Sequence, residues 1–157
     1  MAMCKKLKEF LDQNKVNYQI TGHPEVYTAQ EIAAALHVPG KELAKVVMVK
    51  AGDKFVMIVL PASWRIEMAK LKDLLGAKEI RLATEEEFKN LFPDCEVGAM
   101  PPFGNLYDLD VYVDKTLSED EEIFFQAGNH IESIKMKYKD YSALVKPVVA
   151  EFSVHLH

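Results

Sequence analysis

Cysteine is scarce: two thiols in 157 residues cannot make a disulfide framework. Cys4 and Cys95 also lack the spacing of a metal-ligand pair. No apolar run approaches the roughly 18 residues that a membrane helix needs. The amino terminus, Met1-Ala2-Met3-Cys4-Lys5-Lys6, has neither an apolar h-region nor a cleavage site, so the expectation is a soluble, cytoplasmic protein. Positive charge is not in excess: 19 Lys and Arg against 24 Asp and Glu leave a net charge of −5. That balance excludes a protein that coats nucleic acid broadly, DNA included, and leaves open a local grip on one end of an RNA. Also missing are a glycine-rich phosphate loop, Gly-x-Ser-x-Gly and His-Glu-x-x-His. The five histidines, His23, His37, His130, His155 and His157, show no metal-site spacing. No metal, cofactor or membrane partner is therefore expected.

What the chain does have is an unusual loop, Gly98-Ala99-Met100-Pro101-Pro102-Phe103-Gly104. Glycine at each end permits backbone angles that a side chain forbids, while tandem prolines fix φ and remove two donors. The loop is too apolar for an ordinary surface turn. Either it offers backbone N–H groups to a ligand beside a wall of Met100 and Phe103, or it is a tight buried connection.

Around it the periodicities alternate between helix and strand. Cys4, Leu7, Phe10 and Leu11 recur at helical steps up to Asn14, and Val16 to Ile20 follows as a strand. Thr28 with Glu31 and Thr84 with Glu87 form capping boxes, the first opening a helix to Leu36 and the second one to Leu91. Ala44–Lys50 and Lys54–Leu60, separated by Gly52-Asp53, read as a hairpin with both faces apolar, central in a sheet. Met68 to Leu75 is a helix closed by Gly76, and residues 79–82, 109–113, 121–126 and 131–138 are strand candidates. Asp140 caps a last helix that Pro147 ends, and His155 and His157 fall in a frayed tail. The whole, residues 1–157, reads as one α+β (mixed α/β) domain with a mixed, largely antiparallel sheet surrounded by helices.

Three places could carry chemistry. Lys45 shares a strand face with Val47 and Val49, so its ammonium either snorkels outward or projects into a pocket as a point charge for a phosphate or carbonyl. The Gly98 N–H could donate to a developing oxyanion, or the glycine could simply serve the turn. Gly128-Asn129-His130 lies between two strands; His130 could touch a ribose, phosphate or carbonyl, or sit exposed on a hairpin turn. Cys95, three residues before the loop, could act as a nucleophile or pack as a small hydrophobe.

Together these motifs resemble the YbaK/EbsC family, which includes the editing (insertion) domain of bacterial prolyl-tRNA synthetases. Ala44-Lys45-Val46-Val47-Met48-Val49 is similar to the family's lysine strand. Val97 to Gly104 is similar to its Gly-x-x-x-Pro loop, with Gly98 and Pro102 in the defining places, and Gly128 falls at its glycine-rich turn. The resemblance implies that fold and an aminoacyl-tRNA deacylase. It hydrolyses the ester of a mischarged tRNA in trans, on a small residue such as Ala, Ser, Thr or Cys and on substrates such as tRNA-Pro. It implies Lys45, Gly98 and His130 as catalytic groups. Met100, Pro101, Pro102, Phe103, Gly128 and Asn129 would bind substrate, and the ribose hydroxyl would help activate water. The partners would be the acceptor end of an aminoacyl-tRNA and a synthetase. A non-catalytic binding module of the same fold is the alternative. Ala127-Gly128-Asn129-His130 departs from both the Gly-Gly-x-Arg turn of the cysteine-editing branch and the His-Pro-Leu turn of the alanine-editing branch.

Overall fold

The computed structural model describes residues 4–155. Apolar faces at helical spacing place Leu7 and Leu11 of α1 (Lys5–Gln13) in the core. Lys15, in the left-handed region at φ 56°, then turns the chain, so β1 starts later than the sequence suggests and runs over Tyr18–Gly22. The Thr28 capping box opens α2 (Ala29–Leu36), with both reciprocal bonds made, and His37 closes it at φ 58°.

The hairpin of β2 (Ala44–Ala51) and β3 (Lys54–Pro61) pairs Ala44 with Pro61 and Ala51 with Lys54 in one continuous register. Next come β4 (Trp64–Ile66), α3 (Met68–Leu75) and β5 (Ile80–Leu82), then a capping box at Thr84 and the one-turn α4 (Glu85–Phe88), which tightens into a 3₁₀ turn to Leu91. Past the glycine–proline loop lie β6 (Asp110–Asp114), α5 (Lys115–Ser118), β7 (Glu122–Gln126), β8 (Glu132–Lys137), α6 (Tyr138–Val145), β9 (Val148–Ala150) and β10 (Ser153–His155).

A five-stranded mixed sheet has the order β5-β2-β3-β6-β9, antiparallel through β3 and parallel beyond it. The hairpin is central, as its two apolar faces require. Met48, Met57 and Val59 face one core with Phe103, Phe125 and Tyr141; Val49, Ile58 and Leu60 face another with Leu71 and Phe152. A three-stranded antiparallel sheet, β1-β8-β7, covers the first core, and β4 pairs with β10.

Several expectations need correction. Lys137 caps α6 and Asp140 lies inside its first turn, because Tyr138 leaves the strand to begin the helix. The three-residue strands β4, β9 and β10 leave no period-2 pattern long enough to read. His155 is not frayed: it pairs with Trp64, their rings 5.3 Å apart, while His157 lies outside the described residues.

Asp114 ties this end together. It is 2% exposed, and its carboxylate accepts from Thr116 N (3.1 Å) at the start of α5 and from Phe152 N (2.9 Å).

Candidate functional site

The glycine–proline loop is, over most of its length, the tight buried connection of its two readings. From Ala99 to Gly104 it is buried, and only Val97 and Gly98 reach the surface. Its frame is fixed at several points. Glu96 N donates to Gly128 O (2.8 Å), Phe103 N to Pro101 O (2.8 Å), and the buried Tyr141 hydroxyl to Pro102 O (2.7 Å). Phe103 is fully enclosed, stacked edge-on to Tyr141 at 5.2 Å and tilted against Phe125 at 5.5 Å. It therefore supports the loop from the core and does not face a ligand, because an aromatic ring gains most from full burial. Met100, 5% exposed, is likewise turned inward.

Gly98 has φ +87°, a conformation that costs L side chains about 1–2 kcal/mol. Its N–H is not free in this structure but points at Met100 Sδ, 3.2 Å away. A thioether is a weak acceptor on a flexible chain, so a carbonyl oxygen can replace it at low cost.

His130 is drawn against the same turn. It is 7% exposed, not on the surface as a hairpin histidine would be. Its Nε2 lies 3.1 Å from Val97 O and its ring packs on Tyr27 with centroids 4.5 Å apart. A carbonyl accepts only, so Nε2 donates, while the buried Nδ1 has no hydrogen-bond partner among the described residues. Asn129 is committed to the turn. Its Oδ1 accepts from Ile131 N (3.0 Å) and Glu132 N (2.9 Å), and Nδ2 donates to Glu132 (2.9 Å). It shapes the β7–β8 connection and is fully buried there. Gly128 is needed for space: a Cβ there would sit 2.6 Å from Cys4 Cβ, on a backbone at φ +101°.

Lys45 stands apart from that group. On β2 it shares a face with Val47 and Val49, pointing away from the core that holds Met100 and Phe103. Its Nζ donates to Ala62 O (3.3 Å) in a cavity of about 280 Å³ lined by Val47, Leu60, Arg65, Ile66, Met68 and Leu82. Burial in this apolar recess lowers its pKa. Among the described residues no carboxylate pairs with it and no contact joins it to Gly98 or His130. The exposed lysine that snorkelling would give is not what the structure contains.

Cys95 is unsuited to nucleophilic attack. Its Sγ lies 3.1 Å from Cys4 Sγ and 3.4 Å from the Tyr107 hydroxyl, and that bond to Cys4, with burial, pushes its thiol far above the ordinary range. The proximity of Cys4, Cys95 and Tyr107 was invisible to local spacing, since the partners are far apart in the chain.

Comparison with known proteins gives this geometry a context. The model of the aminoacyl-tRNA editing domain matches residues 23–144. Among curated proteins, the proline–tRNA ligase of Bacillus subtilis is 34% identical over 94 residues, 60% of this chain and 16% of that protein. The proline–tRNA ligase of Bacillus cytotoxicus is 28% identical over 95 residues, 60% of this chain and 17% of its own. The chain thus spans about a sixth of the length of these curated relatives. Among solved structures, the hypothetical protein APE2540 superposes with a TM-score of 0.86 at 22% identity, covering 96% of this chain and 100% of the other. A protein described as a candidate trans-editing enzyme for prolyl tRNA synthetase gives a TM-score of 0.83 at 22% identity, covering 96% of each chain. The lysine strand, the glycine–proline loop and the Gly128 turn all fall within the matched span, and the chain belongs to the aminoacyl-tRNA editing domain family.

Proposed function

We propose that this chain is an aminoacyl-tRNA deacylase acting in trans on tRNA carrying a small non-cognate amino acid such as Ala, Ser, Thr or Cys, with tRNA-Pro as the first tRNA to test. The observation that carries the reading is Lys45: an ammonium held in an apolar recess, bonded only to a carbonyl and neutralised by no carboxylate among the described residues. Such a cation is costly unless an anionic or strongly polarised oxygen arrives to pair with it. The phosphate of a terminal adenosine supplies one.

The reaction asks little more of the protein. A water oxygen bonds to the ester carbon and the carbonyl oxygen becomes an oxyanion. The bond to the ribose oxygen then breaks, and that oxygen takes a proton as the free amino acid leaves. The Gly98 N–H, transferred from Met100 Sδ, would stabilise the oxyanion. With its ring neutral, His130 Nδ1 has the lone pair to accept a proton from water or from the ribose hydroxyl. Pro101, Pro102 and Gly128 contribute by holding that donor and that ring in place. Such an activity belongs with translation in the cytoplasm, and recruitment by a synthetase fits a chain that lacks a positive excess.

The test is a deacylation panel of Ala-, Ser-, Thr- and Cys-charged tRNAs with wild type and Lys45→Ala. Hydrolysis of at least one substrate, lost at least tenfold in the variant at unchanged circular dichroism, is expected; no hydrolysis above background on any of them contradicts the reading. The inward Gly98 N–H and the separation of Lys45 from His130 favour a second reading, a module that binds an aminoacyl-adenosine end without turnover.

A further inference from the structure

The side chains of Cys4, Asp94, Cys95 and Tyr107 converge beneath the glycine–proline loop, and neither the proposed chemistry nor the fold requires them there. The thiols lie 3.1 Å apart, Cys95 Sγ is 3.8 Å from Asp94 Oδ1, and the Tyr107 hydroxyl reaches Cys4 Sγ (3.5 Å), Cys95 Sγ (3.4 Å) and Asp94 Oδ1 (2.8 Å). Donor atoms of Cys4, Asp94 and Cys95 all fall within 4.8 Å of one another. Four-coordinate zinc, with bonds of about 2.3 Å to sulfur and about 2.0–2.2 Å to oxygen, sets its ligand atoms about 3.3–3.8 Å apart. The cluster already spans that range, so small rotations complete a tetrahedron.

We propose that Cys4, Asp94 and Cys95 bind one thiophilic divalent cation of the zinc class, with the Tyr107 oxygen at the fourth corner. Two thiols and a carboxylate select zinc-like ions over magnesium or calcium. Binding forms two metal–sulfur bonds and one metal–oxygen bond and releases the two thiol protons to solvent. The surroundings suit it. Lys6 N donates to Asp94 Oδ2 (3.1 Å), which leaves Oδ1 turned toward the thiols and the Tyr107 hydroxyl, and Lys6 Nζ, 4.9 Å from the Tyr107 ring centre, faces the single negative charge that the site carries whether empty or filled. Cys95 and Asp94 are only half-buried, which gives an entry path, whereas Cys4 is 2% exposed and anchored by its own N–H to Ala127 O (2.9 Å).

The placement gives the site a purpose. Cys95 lies just before the loop, Tyr107 just after it, and Cys4 at the start of α1 against Gly128. One ion would pin both stems of the loop to the turn that bears His130. Sequence inspection misses it because 91 residues separate the two cysteines.

The experiment is a titration of the full chain, kept reduced with a phosphine, with Co²⁺ as a spectroscopic probe and then with Zn²⁺. One Co²⁺ per chain is expected, with a near-ultraviolet thiolate-to-cobalt charge-transfer band, the visible bands of a tetrahedral ion, and displacement by Zn²⁺. Cys95→Ser and Asp94→Asn should each weaken binding at least tenfold. In wild type, bound Zn²⁺ should slow alkylation of Cys95 by N-ethylmaleimide, a readout that does not depend on any variant folding. Absence of the thiolate band would overturn the site, as would a band that survives in Cys95→Ser, or binding that only the histidines support. An apo pair that oxidises to a disulfide while Co²⁺ fails to bind under reduction would equally overturn it. None of these readouts involves deacylation, so the outcome is independent of the proposed function.

Discussion

Lys45 is the side chain whose proposed role in binding would come at the expense of stability. Its ammonium is partly stripped of water and repaid by one carbonyl, so the folded state holds its proton less tightly than the unfolded chain does. Lys45→Met should therefore keep or raise the melting temperature, by up to about 3 °C for about 1 kcal/mol, while removing deacylation. Differential scanning calorimetry beside a deacylation assay checks this; a variant that loses activity only because it unfolds would show Lys45 to be structural. Gly98→Ala separates the other way. The added Cβ meets nothing closer than His130 Cε1 at 3.7 Å, so the cost is backbone strain of about 1–2 kcal/mol at φ +87°. Activity should fall further than stability does. Sequence alone identified Lys45 and Gly98 as positions to examine, because a lysine in an apolar strand and a glycine beside tandem prolines both break local pattern. It could not tell that Phe103 and Asn129 are consumed internally, since core stacking and a turn's side-chain bonds depend on partners brought in by the fold.

Among the elements, the β7–β8 turn and the approach to β7 make separable demands. Gly128→Ala combines φ +101° with a Cβ 2.6 Å from Cys4 Cβ and 3.1 Å from Cys4 N, at a buried helix start, and should cost about 3–5 kcal/mol, well beyond Gly98→Ala. Urea unfolding of the two variants side by side tests the order. Asp120, between α5 and β7, has its carboxyl pushed up to about 6 by desolvation, with one oxygen buried and without a hydrogen-bond partner among the described residues. A raised carboxyl pKa means that the folded state holds the proton more tightly. Stability is thus fuller at low pH and is lost as pH rises from about 4 to about 6. Relative to wild type, Asp120→Asn should gain stability at pH 7.5 and little at pH 4.5, read as urea midpoints; equal midpoints at both would contradict the assignment. Long, patterned elements such as the β2–β3 hairpin and the capped α2 were legible in the sequence because their own residues decide them. The strands β4, β9 and β10 were not, for three residues carry no period and form only because a neighbouring edge is waiting.

At the scale of the whole molecule, the five-stranded sheet separates a charged recess on one face from a buried, multiply anchored loop on the other. The glycine–proline loop is rigid because Tyr141, Gly128 and the core behind Phe103 each hold a different part of it. That rigidity suits an editing site, in which a preorganised donor does most of the work on an already activated ester. A module that only binds the aminoacyl end would also fill the Lys45 recess, so occupancy alone does not distinguish the two readings. The decisive measurement is the number of turnovers per chain on the best mischarged tRNA of the panel, with the substrate in large excess. Many equivalents hydrolysed at a rate proportional to protein concentration, and abolished in Lys45→Met, is the predicted result. Saturable binding with no release of free amino acid beyond the uncatalysed rate would contradict it.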